Sequence, residues 1–151
     1  GVDFPTTFFQ LKELTHIYGS DNRLVGSIPT LIGMLTNLRE IDLERNEIEG
    51  TLPSEIGLLS ANYRLTRIQL ASNQLSGTIP SELGLLTDGL RVLSLSGNSL
   101  TGIVPDTICA SAPLTFSLQL DCQEVSCPCC TICCADEINE CECVGEDSPF
   151  C

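Results

Sequence analysis

Apolar side chains recur at fixed offsets through most of this chain. They stand at Leu14 and Ile17, then Leu38, Ile41 and Leu43, then Leu65, Ile68 and Leu70, then Leu90, Leu93 and Leu95, with Gly19 where the first set lacks its third residue. Each set leads to an asparagine, Asn22, Asn46, Asn73 and Asn98, at intervals of 24, 27 and 25 residues. Around the asparagines one frame repeats as NRLVGSIP, NEIEGTLP, NQLSGTIP and NSLTGIVP. A short apolar-glycine ending follows each proline: TLIGM, SEIGLL, SELGLL and DTICA. The unit reads LxxLxxLxLxxNxLxGxIPxxLGxL, and four copies of that length define an internal repeat.

Each part of the unit has a mechanical role. The LxL alternation is the period of a strand with one buried face, so every repeat supplies one short strand and successive strands stack in parallel. The asparagine falls where the chain turns inward, and a buried amide there must find partners among the backbone groups of neighbouring coils. Gly26, Gly50, Gly77 and Gly102 allow a tight bend. The proline interrupts hydrogen bonding on the return path. In PSEIG and PSELG, Ser and Glu favour a brief helical start and Gly is expected to stop it about one turn later. No coil buries its own apolar side, so stability must come from stacking.

The frame resembles the plant-type leucine-rich repeat, GxIP segment included, over residues 11 to about 110. That resemblance implies an α/β repeat, a right-handed solenoid with a parallel sheet on its concave side. Such modules usually bind proteins or peptides, less often glycans. The third repeat carries about three extra residues near LSANYRL and the fourth one extra near LTDGL. Both should bulge at the start of a strand without shifting register within it. The opening GVDFPTTFFQ aligns with the second half of another repeat, so residues 1–10 are expected to be a partial coil and the chain a piece of a longer protein.

Residues 111–151 break the pattern. PLTFSLQLDC is a degraded fifth strand, and the segment from Asp121 onward carries eight acidic residues and no basic one. Its cysteines are Cys122, Cys127, Cys129, Cys130, Cys133, Cys134, Cys141, Cys143 and Cys151, with Cys109 just upstream. A segment of this size cannot bury much of a core and needs covalent staples. Ten cysteines allow complete pairing, and a disulfide-laced cap would cover the apolar edge of the last coil. Cys109 and Cys122 bracket the last strand and are the expected pair; the other eight leave their connectivity open. Neighbours such as Cys129 and Cys130 should bond elsewhere, since a ring between adjacent residues is strained. The alternative is a thiolate cluster for zinc or copper, although only Cys130 and Cys133 have the CxxC spacing of a zinc site. Disulfides point to an oxidising compartment, secreted or cell-surface. The repeat array together with DC…VSCPCCTICC resembles leucine-rich repeat proteins of diatoms and related algae. Many of these are secreted or membrane-anchored, which implies an extracellular location and an anchored or free precursor.

Composition narrows the function. Twenty acidic residues against seven basic ones give a formal charge of −13, which repels phosphate backbones and anionic lipid. Nucleic acid is therefore excluded as a partner, and no apolar stretch approaches the roughly 20 residues of a membrane span. His16 is the sole histidine, no nucleophile stands in a catalytic frame and no loop has the pattern of a phosphate or calcium site. Neither an enzyme, a cofactor nor a resident metal is expected.

Binding is the remaining class. Positions between the strand leucines point away from the core, and parallel strands at about 4.8 Å spacing align them into columns across coils. The richest columns carry His16, Tyr18, Glu40, Asp42, Glu44, Arg45, Arg67 and Gln69, which are the candidate ligand-binding residues. The fourth coil offers only small side chains there. A partner with a basic or hydroxyl-rich surface suits the first coils. The sequence thus reads as a non-catalytic extracellular module for a protein, peptide or glycan. The alternatives are an inhibitor of a secreted wall-degrading enzyme and a structural or adhesive matrix protein.

Overall fold

The computed structural model of the protein describes residues 1–3, 6–111, 117–121, 125–127, 132–135 and 140–143. Its main sheet begins with strands His16–Tyr18, Glu40–Asp42, Arg67–Gln69 and Val92–Ser94, one from each repeat, all parallel and in register. Ser117–Asp121 continues it in parallel, so the degraded fifth strand keeps its place in the array. The sheet then runs into the cysteine-rich segment, with Ile132–Ala135 parallel to Ser117–Asp121 and Glu140–Cys143 antiparallel at the far edge.

Alternation places one column of each strand inward. Ile17, Ile41, Ile68, Leu93 and Leu118 stack through the register pairs and are all buried. Leu43, Leu70, Leu95 and Leu120 form the next buried column. Each such side chain contributes about 1.5–3 kcal/mol when removed from water, and only the adjacent coil completes its burial.

A second sheet, absent from the sequence reading, runs along the return path. Val2–Asp3, Leu24–Ser27, Glu47–Thr51, Gln74–Gly77 and Ser99–Leu100 stack in parallel. The segment NxLxGxIP is itself of period two, and its inward members Ile48, Leu75 and Leu100 are buried. Gly26, Gly50, Gly77 and Gly102 hold φ between 80° and 96°, the left-handed region that glycine alone enters at little cost.

Three expectations for the connecting segments need correction. The segments after Pro29, Pro53 and Pro80, namely Thr30–Met34, Ser54–Asn62 and Ser81–Leu86, are 3-10 helices, whereas Asp106–Ser111 after Pro105 is α-helical. Pro29, Pro53 and Pro80, not the serines, occupy their N-cap positions, and no side chain caps them. Nor do the glycines terminate them: Gly33, Gly57 and Gly84 lie inside. A Cβ on Gly57 would meet the Glu82 carbonyl oxygen at 2.7 Å, and one on Gly33 would meet the Glu55 carbonyl oxygen at 2.5 Å. These glycines let consecutive 3-10 segments pack backbone against backbone.

The extra residues of the third repeat lengthen its 3-10 helix to Asn62 instead of bulging the strand, and Tyr63 ends the helix in the left-handed conformation at φ 50°. Register between the flanking strands is unchanged.

The asparagines behave as the pattern requires from the second coil onward. Asn46 Oδ1 accepts the Leu24 N–H at 3.0 Å, Asn73 Oδ1 the Ile48 N–H at 3.1 Å and Asn98 Oδ1 the Leu75 N–H at 3.0 Å. Each amide nitrogen donates to carbonyls of its own coil and the preceding one. Asn22 is exposed and, among the described residues, donates only to Gly19 and Ser20 of its own coil. At the far end, the buried Asp121 supplies a carboxylate oxygen to the Asn98 N–H at 3.3 Å, where Asn46 and Asn73 use backbone carbonyls.

Cys109 and Cys127 are both disulfide-bonded. Cys122, the expected partner of Cys109, lies outside the described residues, as do Cys129, Cys130 and Cys151. The side chains of Cys133, Cys134, Cys141 and Cys143 also lie outside them, so the pairing scheme is not described.

Candidate ligand-binding face

The register fixes which candidate side chains meet. His16 stands beside Glu40, and Glu40 beside Arg67; one step along, Tyr18 stands beside Asp42, and Asp42 beside Gln69. Six of the candidates therefore form a two-column patch across three strands, on the face opposite the buried Ile17–Ile41–Ile68 column. Glu44 and Arg45 lie just beyond the second strand, where Arg45 takes φ 54°.

Within the patch two networks form. In the first, Tyr18 donates its hydroxyl hydrogen to Glu40 Oε2 at 2.7 Å and Arg67 Nη1 lies 3.7 Å from the same oxygen. The His16 and Tyr18 rings lie side by side with centroids 5.5 Å apart, and Thr15 Oγ1 holds His16 Nδ1 at 2.8 Å. The hydrogen bond to Glu40 raises the Tyr18 pKa above its ordinary value, because ionisation would place two anions in contact. In the second network, Arg45 bridges Asp21 at 3.5 Å and Glu44 at 3.4 Å. These exposed pairs contribute at most about 1 kcal/mol each; their effect is to fix side-chain positions.

Asp42 sits between the networks. Its carboxylate accepts the Glu44 N–H at 3.3 Å, and among the described residues no cation pairs with it. Beside it Tyr18 is 65% exposed, so an aromatic face and a carboxylate without a countercharge are presented together.

The patch also extends further than the sequence reading placed it. Gln119, on the fifth strand, accepts the Ser94 hydroxyl hydrogen at 3.0 Å and continues the Tyr18–Asp42–Gln69 column. Ser94 is consequently buried although it points toward that face. Asp21, the second partner of Arg45, was outside the candidate set. The alternating signal that would have found Gln119 is SLQLD, obscured by the loss of the asparagine frame around it.

Comparison with known proteins agrees with this architecture. The Leucine Rich Repeat family matches residues 37–59, 64–86 and 89–111. No match is found among curated protein sequences. Among solved structures, the chain is similar to the ectodomain of the receptor kinase SOBIR1 from Arabidopsis thaliana, with 29% identity and a TM-score of 0.73 over 83% of this chain and 66% of that one. It is similar to the ectodomain of the plant membrane receptor kinase GASSHO1/SCHENGEN3 from Arabidopsis thaliana, solved in complex with CASPARIAN STRIP INTEGRITY FACTOR 2, with 31% identity and a TM-score of 0.69 over 78% of this chain and 14% of that one. It also resembles a chain of the BIR3–SERK2 complex from the same plant, with 37% identity and a TM-score of 0.65 over 72% and 56%. The chain spans between 14% and 66% of the length of these three structures.

Proposed function

The chain is a plant-type leucine-rich repeat protein, and from that premise we propose that its concave face recognises a peptide or protein segment outside the cell, without catalysis. One observation carries the reading: six outward side chains on three adjacent strands form a continuous patch in which Glu40 is neutralised from within while Asp42 and Tyr18 stay available. A cationic group, such as a lysine or arginine of an extended segment, meets Asp42 as counterion and the Tyr18 ring as a cation–π partner. Disulfides at Cys109 and Cys127 support an oxidising, extracellular setting.

Selection of random peptides on the immobilised protein, followed by affinity measurement, tests this. Recovered peptides should be enriched in lysine or arginine and should lose about tenfold in affinity, or about 1.4 kcal/mol, to the double variant Tyr18→Ala, Asp42→Asn. Peptides that bind that variant as tightly as the native protein would place the site elsewhere.

A further inference from the structure

The 3-10 segments present a second surface, on a different side of each coil from the concave patch. In three successive coils the residue after the internal glycine is large, apolar and outward: Met34, Leu58 and Leu85, at 49%, 58% and 59% exposure. Leu58 reaches back over the preceding coil, where a Cβ on Gly33 would meet its Cδ1 at 3.0 Å. Leu85 ends the row between two hollows, one of about 300 Å³ bordered by Tyr63, Thr87 and Asp88, the other of about 400 Å³ bordered by Asp106, Thr107 and Ala110. Exposed aliphatic side chains on successive coils, flanked by open hollows, offer an apolar strip on which a partner can be seated.

The charges beside the row select its occupant. Side chains three apart eclipse on a 3-10 helix, so Glu55 stands alongside Leu58 and Glu82 alongside Leu85. Neither acid is ion-paired among the described residues; each is met only by the hydroxyl of its own Ser54 or Ser81. Thr30–Met34, Ser54–Asn62, Ser81–Leu86 and Asp106–Ser111 contain no Lys or Arg. Consecutive rungs stack backbone on backbone at Gly33 and Gly57, close enough for apolar side chains one turn apart on an α-helix to meet successive rungs.

We propose that the Met34–Leu58–Leu85 row docks an amphipathic α-helix of a partner protein, with an apolar ridge on the row and basic residues against Glu55 and Glu82. A second copy of this chain fits poorly, because a two-fold contact would set these acids against their own kind on molecules of charge −13. This inference is independent of the concave site.

The probe is a synthetic helix about 14 residues long with leucines at i, i+3/i+4 and i+7 and lysines elsewhere. Its controls are a scramble of identical composition that lacks the ridge and an analogue carrying glutamates for lysines. Fluorescence anisotropy at physiological salt should show the ridged basic helix binding the intact protein at least about tenfold tighter than either control. The double variant Leu58→Asn, Leu85→Asn, folded by circular dichroism, should lose that preference, while Tyr18→Ala, Asp42→Asn should keep it. Equal binding of the scramble, which reads mere charge attraction, would overturn the proposal. So would unchanged binding by the row variant, no binding of the basic helix, or a concentration-dependent dimer that the row variant abolishes.

Discussion

Replacing Asn73 by alanine separates the architectural role of the asparagine ladder from its sequence signature. The Asn73 amide donates to Leu43, Leu70 and Ala71 and accepts the Ile48 N–H. The carbonyls have second donors: Asn46 Nδ2 remains on Leu43, Asn98 Nδ2 on Leu70 and the Arg45 N–H on Ala71. The buried Ile48 N–H loses the side-chain oxygen that satisfies it. A buried donor left unsatisfied costs about 1–3 kcal/mol, so Asn73→Ala should destabilise by about 2 kcal/mol. Asn22→Ala alters the same motif position in a solvent-exposed setting, where water replaces the lost bonds, and should stay within about 0.5 kcal/mol of the native protein. Urea unfolding followed by circular dichroism gives the midpoint shifts at constant slope. Repeat arrays unfold through neighbouring units, so hydrogen exchange at the Ile48 amide provides the local readout and should accelerate only in the Asn73 variant. Equal destabilisation by both substitutions, or an unchanged Ile48 amide in Asn73→Ala, would refute the account.

Gly57→Ala forces a Cβ to within 2.7 Å of the Glu82 carbonyl oxygen, so the packed 3-10 segments must separate; an overpacking cost of about 1–3 kcal/mol is expected. Leu58→Ala, one residue on and exposed, should cost far less in the same urea titration. Tyr18 should ionise only above the ordinary tyrosine range, because its hydroxyl donates to Glu40. Its neutral form is the one the fold favours, so the bond persists below pH about 10 and is lost as pH rises through the raised value. Glu40→Gln should shift the tyrosinate absorbance midpoint downward, and no shift would remove Glu40 as the cause.

The strands and buried columns were legible because their spacing reflects steric necessity: every second side chain of a stacked strand faces the core. The second sheet carried the same period in NxLxGxIP, but glycine and proline within it read as punctuation and hid the alternation. The glycines of the LG endings were misassigned for a related reason. A terminator rule drawn from isolated α-helices overlooks the next coil, and it is the Glu82 and Glu55 backbones that require Gly57 and Gly33. At the candidate site the membership of the columns was readable, whereas the pairing was not. Whether Arg45 reaches Asp21, Glu44 or Asp42 depends on side-chain rotamers and on the left-handed turns at Asp21 and Arg45, which spacing alone does not encode.

The two faces of one sheet show how such an array keeps a uniform core beneath a varied surface. Inward, Ile17, Ile41, Ile68, Leu93 and Leu118 are near-equivalents, because each must fill the same space between coils. Outward, the matching column reads His16, Glu40, Arg67, Val92 and Ser117, with no two alike. Each rung contacts only its neighbours, so an outward substitution perturbs at most its own coil and the two beside it and leaves the inward column intact. A surface serving only to keep the chain soluble would have no need to set Glu40 between an imidazole and a guanidinium while leaving Asp42 without a countercharge. That asymmetry within one patch, more than the total charge of the chain, is the physical case for the recognition proposed at the first three strands.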